Sequence, residues 1–161
     1  MKIHNEKIVE NFKVPEFFNQ KITIITDGEI RQRETTLFYL AMSLVAITAK
    51  SSPLPKPLLR LNVYFLEKNI VTFILDEDML GCFHQAIVFP VGQWRKKKYL
   101  SEVILAAMVE ELCHAVWLIP DGPKIEEKVR DVYDNIPLYF SESEFLMRAY
   151  VSFDPIFSNR N

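Results

Sequence analysis

Val109-Glu110-Glu111-Leu112-Cys113-His114-Ala115-Val116-Trp117 is the stretch from which the rest of the chain is best read. Val103, Ile104, Leu105, Ala106, Ala107 and Met108 precede it and Leu118 follows, so it lies mid-way along a helix predicted over residues 99–119. A helix apolar nearly all round is a buried helix. At about 3.6 residues per turn, Glu110 and His114 stand one turn apart on one face, with Glu111 rotated about 100° from Glu110. Buried carboxylates cost several kcal/mol unless they are paired, hydrogen-bonded or metal-bound. Something must therefore compensate Glu110, Glu111 and His114.

Outward from this helix the pattern alternates between strand and helix. On the N-terminal side lie a polar tract at 93–98 and a short strand at 84–89 ended by Pro90. Before them, residues 59–67 alternate Leu59, Leu61, Val63 and Phe65 against Arg60, Asn62 and Tyr64, which predicts a strand. Lys68-Asn69 reads as a tight turn into a returning strand at 70–75, followed by the acidic turn Asp76-Glu77-Asp78. Residues 30–50 carry Leu37, Leu40, Ala41, Leu44, Val45 and Thr48 at helical spacing, and Pro53, Pro55 and Pro57 end that helix. A strand at 21–27 precedes the Asp27-Gly28 turn, and residues 1–18 read as weakly helical up to Val14. On the C-terminal side, Pro120-Asp121-Gly122-Pro123 stops the motif helix. A charged helix follows at 124–135, and another at 142–150, with Ser141 and Glu144 at capping-box spacing. The order β-α-β-β-β-α-α-α predicts one α+β domain over 1–161, with a β-α-β-β-β-α core at 21–119 and a helical part at 120–161. Its small mixed sheet has a backing helix and a motif-bearing helix.

Composition sets the outer bounds. The chain has 161 residues, 49% hydrophobic and 25% charged, enough for a core without disulfides. Its two cysteines, Cys82 and Cys113, sit in apolar runs and form no CxxC pair, which suits a reducing compartment, taken as the cytoplasm. A net charge of −2 gives no positive field for nucleic acid, and the run 95–98 reads as a soluble loop before a helix. The apolar stretch 37–49 is interrupted by Ser43 and Thr48 and falls short of the ~18 residues of a membrane span. Residues 1–11 are polar and charged, so no secretory leader is expected.

The segment Ala107-Met108-Val109-Glu110-Glu111-Leu112-Cys113-His114-Ala115-Val116-Trp117 resembles the active-site helix of zincin metalloproteases. Their H-E-x-x-H signature places two zinc ligands on one helical face and a Glu as general base. The element order over 21–119 also resembles the N-terminal part of that fold. The resemblance implies Glu111 as catalytic base, His114 as metal ligand, and Glu110 in place of the first His. It implies a third ligand from the next helix, where Glu126, Glu127, Asp131 and Asp134 are available. Glu127 and Asp131, four apart on one face, are the first choices, with His84 a further candidate. The implied cofactor is Zn²⁺ or another divalent transition metal, since a carboxylate-rich set also suits Fe or Mn, or none if the chemistry has lapsed. An extended peptide or protein partner would lie along the strand at 84–89. Trp117 stands where some zincins have a Gly, and Pro120 where their third His would follow.

Three functional readings follow. The first is a degenerate zincin-like protein, catalytically weak or inactive, that binds metal and holds a peptide in a cleft beside the edge strand. The second is an active metal-dependent peptidase with Glu111 as base. The third is an unrelated α+β interaction module. Against each candidate stands a plain alternative: His114 and Glu111 as a hydrogen-bonded buried pair, and Glu110 as partner of Arg130, Arg148 or a backbone amide. Likewise Glu127 and Asp131 read as a solvated face, and Cys113 as an inert thiol. A di-iron bundle is excluded, because no second E-x-x-H exists and the strands contradict it.

Overall fold

Alternating Ile and Thr over Ile22–Thr26, and the buried Leu61, Val63 and Phe65 of Leu61–Phe65, form two neighbouring parallel strands at the centre of the sheet. The computed structural model describes residues 2–3, 7–68, 73–74 and 85–134. In chain order its elements are β1 (Lys2–Ile3), β2 (Lys7–Ile8), β3 (Ile22–Thr26), α1 (Gln32–Ser51), β4 (Leu61–Phe65), β5 (Phe73–Ile74), β6 (Ala86–Phe89), α2 (Val91–Lys97), α3 (Ser101–Trp117) and α4 (Pro123–Asp134). A 3-10 turn at Glu16–Phe18 precedes β3. The fold class is α+β.

Sheet order is β2-β3-β4-β6, with β2 antiparallel to β3 and the other two pairings parallel. Ile22 faces Leu61 and Thr26 faces Phe65; on the other side Asn62 faces Ala86 and Phe65 faces Phe89. Parallel neighbours need a long crossover, and α1 supplies the one between β3 and β4. It packs together with α3 over one face of the sheet, where Phe38 meets Phe65 and Phe89 edge-on at ring-centroid distances of 5.4 and 5.6 Å. On the other face Ile25, Tyr64 and Leu66 form a smaller cluster. Tyr64 is therefore buried although the alternation grouped it with Arg60 and Asn62, while Leu59 is exposed.

Several expectations are corrected. Of the strand expected at 70–75, the described residues Phe73–Ile74 do not return beside β4, whose edges β3 and β6 occupy, but pair with Lys2–Ile3. Among the described residues up to Val14 there is no helix: Lys7–Ile8 adds to the open edge of β3, and the Val9 N–H donates to Ile24 O at 3.0 Å. Edge pairing there satisfies backbone groups that a weak helical propensity would not. The tract at 93–98 is not a loop but most of α2. Pro90 is its N-cap, Trp94 is buried, and Lys98 ends it in the left-handed region at φ 54°. At 20 residues α1 exceeds α3, which has 17. The strand predicted at 84–89 is present as Ala86–Phe89, while His84, Cys82 and the helix predicted at 142–150 lie outside the described residues.

Arg95 of α2 closes the end of the sheet where β3, β4 and β6 terminate. Its guanidinium donates to Glu34 Oε1 and Oε2 at 2.8 and 2.6 Å, to Glu67 Oε1 at 3.0 Å and to Glu29 O at 2.7 Å. Glu34, itself buried, also accepts the Arg31 N–H at 2.7 Å, so the first turn of α1 and the last turn of α2 share one carboxylate. That hydrogen bonding raises the Arg95 pKa against the opposing effect of burial. Gly92 sits against the Glu67 backbone so closely that a Cβ would come within 1.9 Å of its carbonyl oxygen.

Candidate metal centre

The motif helix is held at both ends. At its start, Arg33 of α1 donates to Ser101 Oγ at 2.9 Å and to Tyr99 O at 2.7 Å. At its finish, Leu118 takes the left-handed conformation (φ 54°) and turns the chain back, although a branched side chain disfavours that region. Pro120, Asp121 and Gly122 (φ 128°) complete the reversal, and Pro123 opens α4, where a missing N–H costs nothing. Ile125, Val129, Val132 and Tyr133 then bury the apolar side of α4 in the core.

This reversal brings Ile119 and Asp121 beside the last turn of α3. His114 Nδ1 lies 2.5 Å from the Ile119 carbonyl oxygen, which can only accept, so Nδ1 carries the hydrogen. Nε2 then faces two carboxylates, Asp121 Oδ1 at 3.3 Å and Glu110 Oε1 at 3.9 Å. One donor atom from each of Glu110, His114 and Asp121 lies within 4.8 Å of the others, which is close enough to share one cation. Glu110 is buried at 3% exposure, His114 is half-buried, and Asp121 is exposed. The cluster thus runs from the core to the surface, with its imidazole in the middle.

The donor chemistry fits a divalent ion. An imidazole nitrogen and two carboxylate oxygens are ordinary ligands of Zn²⁺, and the carboxylate share also suits Mn²⁺ or Fe²⁺. Metal-ligating histidines nearly always donate their second ring N–H to a carbonyl or carboxylate, which fixes the tautomer and the ring angle. The His114–Ile119 bond has that form.

Of the residues singled out from the sequence, Glu110 and His114 lie near each other, at 3.9 Å. Glu111 does not share their setting: it is exposed, on another side of α3, and is not part of the three-residue cluster. Burial of all three ionisable groups was expected from the apolar frame; Glu111 falls on the strip of α3 that faces outward. Glu127 and Asp131 are both exposed and line an open depression of about 660 Å³ with Ile119, Lys124 and Lys128. Asp131 accepts from Lys128 Nζ at 2.8 Å, and that amine also reaches Ser52 Oγ and lies over the Trp117 ring. Among the described residues neither joins the Glu110–His114 group; Glu126 and Asp134 do not either. Arg148 and His84 are outside the described residues.

Asp121 is not legible as a ligand in the sequence, because Pro120-Asp121-Gly122-Pro123 reads only as a helix stop. The missed signal is positional: a reversal directly after a motif helix carries its own acid back past that helix's last turn. Cys113 is buried and its thiol is pushed well up by burial, as an inert core thiol would be.

β6 pairs with β4 and, among the described residues, with no other strand. Ala86 and Val88 point outward and are exposed. Gln85 just before it donates from Nε2 to Ala115 O at 3.0 Å, tying the strand's entry to the end of α3. Leu58, Leu59, Gln85, Ala115, Val116 and Leu118 line an apolar cleft of about 190 Å³ at that junction. Arg95 belongs to the buried Glu34 network and Lys97 lies over the Tyr99 ring, so the basic run is partly engaged within the fold. Among the described residues no helix is long and apolar enough to cross a membrane. No protein-family model, no curated protein and no solved structure matches the chain.

Proposed function

We propose that this protein is a divalent-metal-binding domain, with a zincin-like motif helix that has lost the first histidine and with it efficient hydrolysis. Glu110, His114 and Asp121 would hold the ion. One observation carries this reading: His114 Nδ1 is tied to the Ile119 carbonyl while Nε2 faces Glu110 and Asp121. Zn²⁺ is the first candidate, with Mn²⁺ and Fe²⁺ next. Such an ion supplies Lewis acidity toward a carbonyl oxygen. What this chain's own residues do is bind and orient: Ile119 sets the imidazole angle, and Glu110 brings its charge from within the core.

The peptidase alternative needs a base beside the cluster. Glu111 is the residue that the zincin resemblance offers, and its exposed position on another side of α3 weighs against that role. A binding role is favoured instead, with an extended peptide or protein segment laid along β6 and an apolar side chain in the cleft by Leu58 and Leu118. The buried free thiol of Cys113 suits a reducing compartment, and we assign the cytoplasm.

Titration calorimetry of chelator-treated, tag-free protein with Zn²⁺ and Mn²⁺ tests this reading. One ion per chain is expected, with affinity lowered about 100-fold or more by His114→Ala and by Asp121→Asn. Stoichiometric binding unchanged in both variants, or no binding in the wild type, would overturn the assignment. A casein-peptide assay of the metal-loaded protein is expected to show no turnover above the chelated control.

A further inference from the structure

Two of the three ligands stand on rigid helix, and the third stands on the reversal that follows it. Glu110 and His114 are one turn apart on α3, which is packed against α1 and anchored at its start by Arg33. Asp121 lies between Leu118, a leucine held half-exposed in the left-handed region, and Gly122, whose φ of 128° few other residues adopt. Both polar contacts described between the reversal and α3 pass through one imidazole, Ile119 O to Nδ1 and Asp121 Oδ1 to Nε2, while the Ile119 side chain packs half-buried against the core. The backbone contact Ile125 N–H to Gly122 O belongs to the start of α4. Resting on the metal-binding reading above, we infer that the ion acts as a clip, locking the 118–122 reversal onto the end of α3, so that its uptake shifts this segment further towards the closed state.

The physical argument is linkage. An ion that needs Asp121 as ligand binds the closed reversal better than the open one, and stabilises it by the ratio of free ion to dissociation constant. The His114–Ile119 bond tightens in the same step, because coordination at Nε2 makes the Nδ1 hydrogen a better donor. Leu118 belongs to the same segment and lines the apolar cleft beside β6, so the state of the clip also fixes one wall of that cleft. α4 itself does not depend on the ion, since its four buried apolar residues hold it to the core.

Hydrogen–deuterium exchange of the full chain, chelated and then saturated with Zn²⁺, reads the clip directly. Amides of Ile119, Asp121, Gly122 and Lys124 are expected to exchange roughly tenfold to hundredfold more slowly with ion at about 100 times its dissociation constant. Amides of residues 7–9 at the sheet's edge, whose fraying leaves the three ligands in place, should not change. In Asp121→Asn the ion-dependent protection of 119–124 should vanish even where calorimetry still detects weak binding to Glu110 and His114. Calorimetric binding to the wild type without any change at 119–124 would overturn the clip and leave the metal site standing. An absence of binding would remove both.

Discussion

The two ends of α3 are built on opposite terms. At its start, two guanidinium groups are committed to polar partners: Arg33 to the Ser101 hydroxyl and the Tyr99 carbonyl, and Arg95 to the Glu34 and Glu67 carboxylates and the Glu29 carbonyl. Arg95 and Glu34 are only 14% and 5% exposed in their side chains, and each makes several short contacts. At its finish, His114 meets Glu110 and Asp121 at 3.9 and 3.3 Å, distances that leave room between the heavy atoms, and Asp121 is 89% exposed. A saturated network specifies geometry, whereas a loose one with an imidazole at its centre can accept a ligand. The difference separates the polar cluster that holds the fold from the cluster proposed to hold a metal ion.

The largest expected effect lies at the saturated end. Arg95→Ala strands the buried Glu34 carboxylate and should cost about 3 kcal/mol of unfolding free energy in urea titration. A loss under about 1 kcal/mol would mean that the network is ornamental and the comparison is false. The next test sharpens the picture of the floor near the open end, where Tyr133 lies close to Cys113. Burial pushes the Tyr133 phenol well above its ordinary range. Unfolded Tyr ionises near pH 10. Above that value the unfolded chain releases a proton that the folded chain keeps, so stability is retained below about pH 10 and falls by roughly 1.4 kcal/mol per pH unit above it. Tyr133→Phe should remove that part of the decline. The smallest effect belongs to the metal-free open end. His114→Ala there should cost about 1 kcal/mol, since it removes the half-buried hydrogen bond to Ile119 O and the longer contacts to Glu110 and Asp121. If His114→Ala proved more damaging than Arg95→Ala in chelated protein, the roles of the two ends would have to be exchanged.

Much of this was legible in the sequence, for reasons particular residues make plain. Leu37 through Thr48 and the apolar frame of Glu110 and His114 advertise helices by period alone, and Pro123 marks the start of α4. Ile22–Thr26 and Leu61–Phe65 advertise strands equally well. Period does not report partners, however. The choice of Ala86–Phe89 rather than Phe73–Ile74 as neighbour of β4 is settled by long-range pairing, which no local turn signal encodes. α2 was hidden because Arg95, Lys96, Lys97 and Lys98 look like a solvated loop, and only the burial of Trp94 and the engagement of Arg95 give them a helix. At the site, helical spacing sufficed for Glu110 and His114. It could not yield Asp121, whose position depends on Leu118 adopting a backbone conformation unusual for leucine.

The parallel pairing of β3 with β4 bears on how the chain reaches this state. Thr26 Oγ1 donates to Phe65 O across 39 residues of sequence, and the whole of α1 intervenes. The sheet's central seam therefore cannot be zipped from a neighbouring bend. Its ends must first meet through a large loop, at an entropic expense that grows slowly with loop length but must be met before any seam bond forms. Helix α1 shortens that search by carrying its apolar face to the place where both strands will dock, which makes it the natural template on which the sheet condenses.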